Sequence, residues 1–333
     1  MAAGIREVAD RAGVSVGTVS NVLNTPGKVA AATAERVLAA IEELGFVRND
    51  AARQLRAGSS RSIGLLVLDV RNPFFTDVAR GAEERAVEAD LSVLLANSDE
   101  RPERESAHLD LFEEQRVRGI LITPVGEVGG RLAQLRRRGI PAVLVDRLDT
   151  TGDFSSVSVD DVAGGRLALQ HLLDTGRRRI LFIGGPADLR QVRDRLQGAR
   201  EAVESVPDAR LDVLPIDGLT MTEGVQAGRR ILDLDLDHRP DAVFAANDLV
   251  ALGVLQGVGI LGGLRVPEQI AIVGYDDIDF AAAAAVPITS IRQPRGRIGA
   301  EALELLLEEI AGTEEHRRIV FQPELVVRES SRA

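Results

Sequence analysis

Apolar residues follow two different rhythms along this chain. Over residues 4–45 they recur at the helical interval. Ile5, Val8, Ala9 and Ala12 fall at i, i+3, i+4 and i+7, which puts one apolar stripe on a first helix. Gly13 stops it, since glycine enters the left-handed conformation of a tight turn at no steric cost. Ser15 is a good N-cap for a second helix, with Val19 and Val22 on its inner face. A third helix turns Val37, Ile41 and Leu44 inward and ends at Gly45. From Ser62 onward, continuous apolar runs alternate with helical patterns. The runs are Ile63–Val70, Leu91–Ala96, Gly119–Thr123, Ala142–Asp146, Ile180–Gly184, Leu211–Ile216, Ala242–Ala245, Ile270–Gly274 and Ile288–Ile291. Amphipathic stretches such as Phe75–Ala89, Val162–Leu173 and Val192–Val203 lie between them. Uninterrupted apolar strands between amphipathic helices predict buried parallel sheets, and two successive sets predict two doubly wound lobes. A last strand is predicted across Phe321–Glu329.

Composition narrows the picture. The chain has 333 residues, 45% hydrophobic and 27% charged, enough for two or three packed units. It has no cysteine, which rules out disulfides and Cys-ligated metal, and neither a metal nor a cofactor is expected. The N-terminal Ile5–Asp10 stretch is charged and amphipathic where a secretory signal would be apolar, and no stretch is apolar for the length of a membrane span. A cytoplasmic protein is expected. The net charge of −11 is unevenly spread: residues 1–58 carry seven cations and six anions, so the remaining 275 carry −12. Nucleic acid is then approachable through the N-terminal segment alone.

That segment has the right chemistry for such an approach. With Val19 and Val22 inward, the second helix turns out Val16, Gly17, Thr18, Ser20, Asn21 and Asn24, which are small and uncharged. Helix, glycine-bearing turn and helix with such an outer face make a helix-turn-helix pattern, although periodicity alone fits an ordinary three-helix core fragment as well. The string Val8–Asn24, with Glu35–Phe46 after it, resembles the headpiece of the lactose-repressor family, and the resemblance covers the whole chain. It implies an all-α helix-turn-helix headpiece followed by an α/β two-lobed, periplasmic-binding-protein-like domain. By position it implies that Val16, Gly17 and Asn21 face base edges in the major groove. Ser15, Thr18, Ser20 and Asn24 would hold phosphates. Where the family usually has Ser or Thr to cap the third helix, this chain has Ala30.

The boundaries expected are a headpiece over 1–46, a hinge over 47–61 and an effector-binding and dimerisation domain over 62–333. Within the last, one lobe takes 62–160 and 293–321 and the other 161–292 and 322–333. The hinge reads alone as a flexible, charged linker. The resemblance instead makes it a helix that pairs with its copy on the minor groove, with Asn49, Ala52 and Leu55 on the DNA and Leu55 as the wedge. The family commonly has Pro where Arg48 stands.

Ligands of doubly wound sheets bind beyond the carboxyl ends of the strands. Asp69, Asn72–Phe75, Asp146–Arg147, Asn247–Asp248, Tyr275–Asp277 and Gln293 all sit there, and Arg195 lies on a helix nearby. Taken singly, each has an ordinary reading as a cap, an ion pair or core. As a set they suit a polyol, whose hydroxyls take carboxylates, arginine and amides. By resemblance to ribose-type periplasmic binding proteins and sugar-responsive repressors, Asn72, Phe74, Arg147, Arg195, Asn247, Asp276 and Gln293 contact a pentose-like sugar.

A sugar-processing enzyme is disfavoured: none of the four histidines falls at these positions, and no phosphate-binding glycine loop follows the first strand. A periplasmic carrier would share the lobes but not the headpiece. The expected protein is a repressor that binds a pseudo-palindromic operator as a homodimer and lets go of it when sugar binds. No leucine-heptad segment follows the last strand, so no tetramer is expected.

Overall fold

The computed structural model describes residues 3–46, 60–313 and 315–332, and the chain divides into two compact units at Ser59/Ser60. The first is built from α1 (Ile5–Ala12), α2 (Val16–Asn24) and α3 (Ala31–Leu44). Glu7 reaches back to accept from the Gly4 amide at 2.6 Å, which satisfies a donor that the start of α1 leaves open. Gly13 at φ 65 and Gly45 at φ 58 close α1 and α3 in the left-handed conformation. Val8, Val19 and Val37, one from each helix, are fully buried and centre the small core. Ala30 starts α3 without any side-chain cap. The hinge residues Asn49, Ala52 and Leu55 lie outside the described residues.

The second unit holds two six-stranded sheets. The first contains β1 (Ser62–Val67), β2 (Ser92–Asn97), β3 (Ile120–Ile122), β4 (Ala142–Val145), β5 (Ser156–Val159) and β11 (Arg318–Phe321). Its order is β11-β5-β4-β3-β1-β2 and every pair is parallel. The second contains β6 (Arg179–Gly184), β7 (Arg210–Pro215), β8 (Ala242–Ala245), β9 (Ala271–Asp276), β10 (Thr289–Arg292) and β12 (Glu324–Val326). Its order is β12-β10-β9-β8-β6-β7, parallel except where β12 runs against β10. The helices that matter for the site are α4 (Pro73–Glu88), α7 (Asp161–Asp174), α8 (Arg190–Val203), α10 (Asp248–Val254) and α12 (Arg295–Ile310). The intervening helices are α5 (Pro102–Glu114), α6 (Gly129–Arg137), α9 (Met221–Leu232) and α11 (Asp279–Ala282).

The chain passes between sheets three times: from β5 to α7, from β10 to α12, and from β11 to β12. The last passage corrects the single strand expected over Phe321–Glu329. Pro323 has no N–H to give a ladder, and there the run breaks into β11 and β12, one in each sheet. Strand β5 was not foreseen, because its Ser-Val-Ser-Val sequence lacks the apolar run of its neighbours although all four residues are buried.

Three helix pairs cross with their backbones nearly touching: α9 and α10 at Gly224 and Gly253, and the two pairs that flank the cleft. An added Cβ at Gly198 of α8 would lie 1.9 Å from the Val162 carbonyl oxygen, and one at Gly165 of α7 would lie 2.0 Å from that of Arg195. The other lobe repeats the device: Gly299 of α12 against Val78 at 1.9 Å, and Gly81 of α4 against Gly296 at 2.0 Å. Only glycine permits so close a crossing.

Candidate functional site

In the headpiece, Ser15 caps α2 by accepting from the Thr18 amide at 3.1 Å, and the two hydroxyls lie 2.9 Å apart. Asn24 folds its amide back onto Ser20, donating to the carbonyl at 2.9 Å and the hydroxyl at 3.2 Å. Gly17 and Asn21 are exposed, while Val16 is half-buried against the small core. The outer face of α2 is therefore short, polar and uncharged.

In the second unit, Asn72, Asp146, Arg195 and Asp276 converge between the two sheets. Asn72 caps α4, accepting from the Phe74 amide at 3.0 Å, and its Nδ2 donates across the cleft to Asp276 Oδ2 at 3.0 Å. Gln191 bridges in the opposite sense, donating from α8 to the Asp146 carbonyl and to its Oδ2, both at 2.9 Å. Asp146 and Asp276 sit at strand ends with φ 53 and 102, a region that side chains rarely enter and that tends to occur at functional sites. Glu100, at φ 57 in the turn after β2, lines the same cleft. The space enclosed is about 30 Å³, room for a water or two.

Arg195 is the centre of the charge arrangement. Its Nε donates to Asp161 Oδ1 at 2.8 Å and its Nη1 to the Ala246 carbonyl at 2.7 Å. Its guanidinium carbon stands 3.7 Å from the centre of the Tyr275 ring, and Asp276 Oδ1 is 4.0 Å from its Nη1. Burial works against its charge, but the Asp161, Asp276 and Asp146 carboxylates more than compensate and raise its pKa. Burial pushes the carboxyls of Asp146, Asp161, Asp248 and Asp276 upward. Glu100 rises to about 7, through burial first and then the Asp69 carboxylate.

The structure brings Asn72, Phe74, Arg195, Asn247 and Asp276 of the expected set together on the cleft. Asn247 is also the cap of α10, accepting from the Val250 amide at 2.9 Å. Gln293 stands behind the cleft, where its Nε2 donates to Asp276 Oδ1 at 2.8 Å. Arg147 does not join them. It turns away to Glu127 at 2.9 Å and lines outer hollows with Arg190. Four polar lining residues are not among the expected ligand contacts: Asp69, Glu100, Asp146 and Gln191. Asp69, Glu100 and Asp146 follow strands β1, β2 and β4, and Gln191 is four residues before Arg195 on one helix face, so both signals were available.

A helix-turn-helix unit joined to a two-lobed domain with a polar inter-lobe cleft defines a ligand-sensing transcription regulator. A model of bacterial regulatory proteins of the lacI family matches residues 4–49, and one of a periplasmic binding protein-like domain matches residues 169–331. The HTH-type transcriptional repressor PurR of Aliivibrio fischeri (strain MJ11) is 34% identical over 333 residues, covering 98% of this chain and 97% of its own. The ribose operon repressor of Escherichia coli (strain K12) is 34% identical over 335 residues, covering 98% and 99%. The lac repressor dimer bound to operator and the anti-inducer ONPF matches at TM-score 0.84 and 27% identity over 100% of both chains. The complex of the transcriptional regulator CelR with cellobiose matches at TM-score 0.72 and 35% identity over 98% and 99%. The chain belongs to the lacI family of bacterial regulatory proteins. Among the described residues no helix is long and apolar enough to cross a membrane.

Proposed function

We propose that this chain is a cytoplasmic, homodimeric repressor that leaves its operator when a small sugar of pentose or aldose type binds between the lobes. The observation that carries this reading is the pair of hydrogen bonds across the cleft, Asn72 to Asp276 and Gln191 to Asp146. Hydroxyls arranged on a ring can take over both bonds, and the spacing of the lobes then depends on the ligand. The ribose operon repressor and the complex with cellobiose among its relatives favour a sugar. On the DNA, Val16, Gly17 and Asn21 read base edges, with Ser15, Thr18, Ser20 and Asn24 on the phosphates. Asn49, Ala52 and Leu55 act in the minor groove. The coupling is reciprocal, so operator DNA weakens sugar binding by the factor by which sugar weakens operator binding.

The test is a titration of a labelled operator, selected from random duplexes, with and without aldoses, polyols and purine bases. Release by a sugar is the expected result. If a purine base tightens the complex and no sugar loosens it, the sugar reading falls.

A further inference from the structure

Two buried acceptors on the cleft wall find no hydrogen-bond partner among the described residues: Asp146 Oδ1 and Gln191 Oε1. Both side chains are more than nine-tenths buried. The Gln191 amide cannot be turned round to remedy this, because its Nε2 already serves two oxygens of Asp146. Without a ligand Asp146 keeps a proton and Gln191 Oε1 stays dry, so a group that donates more than one hydrogen bond would serve both oxygens and release that proton.

Charge points the same way. Asp69, Glu100, Asp146 and Asp276 line the cleft; Asp69 is paired with Arg71 at 2.9 Å, and for the other three Arg195 is the one cation among the described lining residues. Arg195 is already committed to Asp161 and the Ala246 carbonyl. The second arginine that would balance two carboxylates, Arg147, faces Glu127 instead. A ligand phosphate or carboxylate would add to this surplus. A neutral hydroxyl supplies one donor and leaves the surplus as it is.

We propose that the sugar taken between the lobes is an amino sugar, whose ammonium group is seated on Asp146 Oδ1 and Gln191 Oε1. An ammonium offers three donors, no acceptor and the missing positive charge. The proposal rests on the cleft being a sugar site and specifies which sugars it takes. Burial and neighbouring carboxylates hold Asp146 and Glu100 above the ordinary carboxyl range, so a seated cation draws protons off them.

Calorimetric titration of the full-length protein at about pH 6.5, where an amine stays charged, provides the test. Glucosamine, galactosamine and mannosamine are each compared with the parent aldose and the N-acetyl derivative. At least one amine is expected to bind about tenfold tighter than both its neutral counterparts, and to release protons when buffers of different ionisation heat are compared. Asp146→Asn should remove that advantage; Glu100→Gln, which touches no cross-cleft bond, should reduce it and serves if the first variant does not fold. The proposal is overturned if no amine outbinds its counterparts, or if the advantage survives in whichever variants fold. Neutral aldoses that release the operator while no amine outbinds them would leave the repressor reading intact and remove only the amine. Failure of every sugar to bind would remove both.

Discussion

Arg195 and Arg147 show how differently two arginines of one domain can be used. Arg195 is enclosed, with Asp161, Ala246 and the Tyr275 ring around it, and its removal would leave Asp161 a buried, uncompensated charge. Arg195→Ala is expected to cost about 3–5 kcal/mol in urea unfolding of the second unit. Arg147 is also buried, but its partner Glu127 has a side chain that is 92% exposed, so that ion pair is worth at most about 1 kcal/mol. Arg147→Ala should therefore keep its melting temperature within a few degrees and respond to ligand. A loss of ligand response with unchanged stability would return Arg147 to the binding set. In the headpiece the corresponding residue is Asn21. Its exposed amide on α2 can pair with an adenine edge, so Asn21→Ala should relax preference at one base pair per half-site and cost about 1–3 kcal/mol. Binding-site selection that returns the parent's preferences would show that another side chain reads that position.

At the level of elements, helix crossings hold the cleft walls. α7 and α8 meet at Gly165 and Gly198, and α8 carries both Gln191 and Arg195 to the site. α4 and α12 meet at Gly81 and Gly299, and α4 begins at Asn72. Gly198→Ala or Gly299→Ala drives a methyl into a carbonyl oxygen, and each should destabilise by about 1–3 kcal/mol or more. Gly130 in α6 provides the control. A Cβ there meets nothing within 4 Å, and alanine is the better helix former, so Gly130→Ala should stabilise by about 0.5–1 kcal/mol. Thermal melts of the three variants decide it, and equal effects in all three would mean that the crossings tolerate more room than their geometry indicates.

For the molecule as a whole, the buried carboxyls set a pH dependence. Glu100 titrates near 4.5 when unfolded and at about 7 in the fold, so between those values the native state holds more protons than the unfolded chain. Stability from this group is thus largest below about 4.5 and declines as pH rises through about 7. Asp146, Asp248 and Asp276 shift in the same direction, each through burial first. Scanning calorimetry is expected to give a melting temperature for the second unit that falls from about pH 5.5 to about pH 8, with a shallower slope in Glu100→Gln. A melting temperature that climbs over that interval would contradict it. These acids are among those that give the −12 carried beyond residue 58, which leaves the first 58 residues, at +1, as the part that phosphates tolerate.

What the sequence by itself determined is what short-range rules govern. Ser15 as a cap, Gly13 and Gly45 as stops, and Val8, Val19 and Val37 as core all depend on neighbours within a turn or two, and periodicity and capping chemistry read them directly. The two-lobed α/β body was legible for a similar reason: parallel strands buried on both faces must be continuously apolar. The cleft was legible only in outline, as the set of positions beyond strand ends. Which side chain enters it was settled by contacts distant in sequence. Asp146 and Arg147 are adjacent, yet one meets Gln191 across the cleft and the other turns out to Glu127. That choice depends on a left-handed turn at Asp146 and on the placement of α8 against α7, where two glycines allow the helices to touch. The separation of β11 from β12 is of the same kind, since only the presence of two sheets to join gives the break at Pro323 its use. Local pattern selects the elements, and the direction of a side chain at the end of a strand waits on whatever packs opposite it.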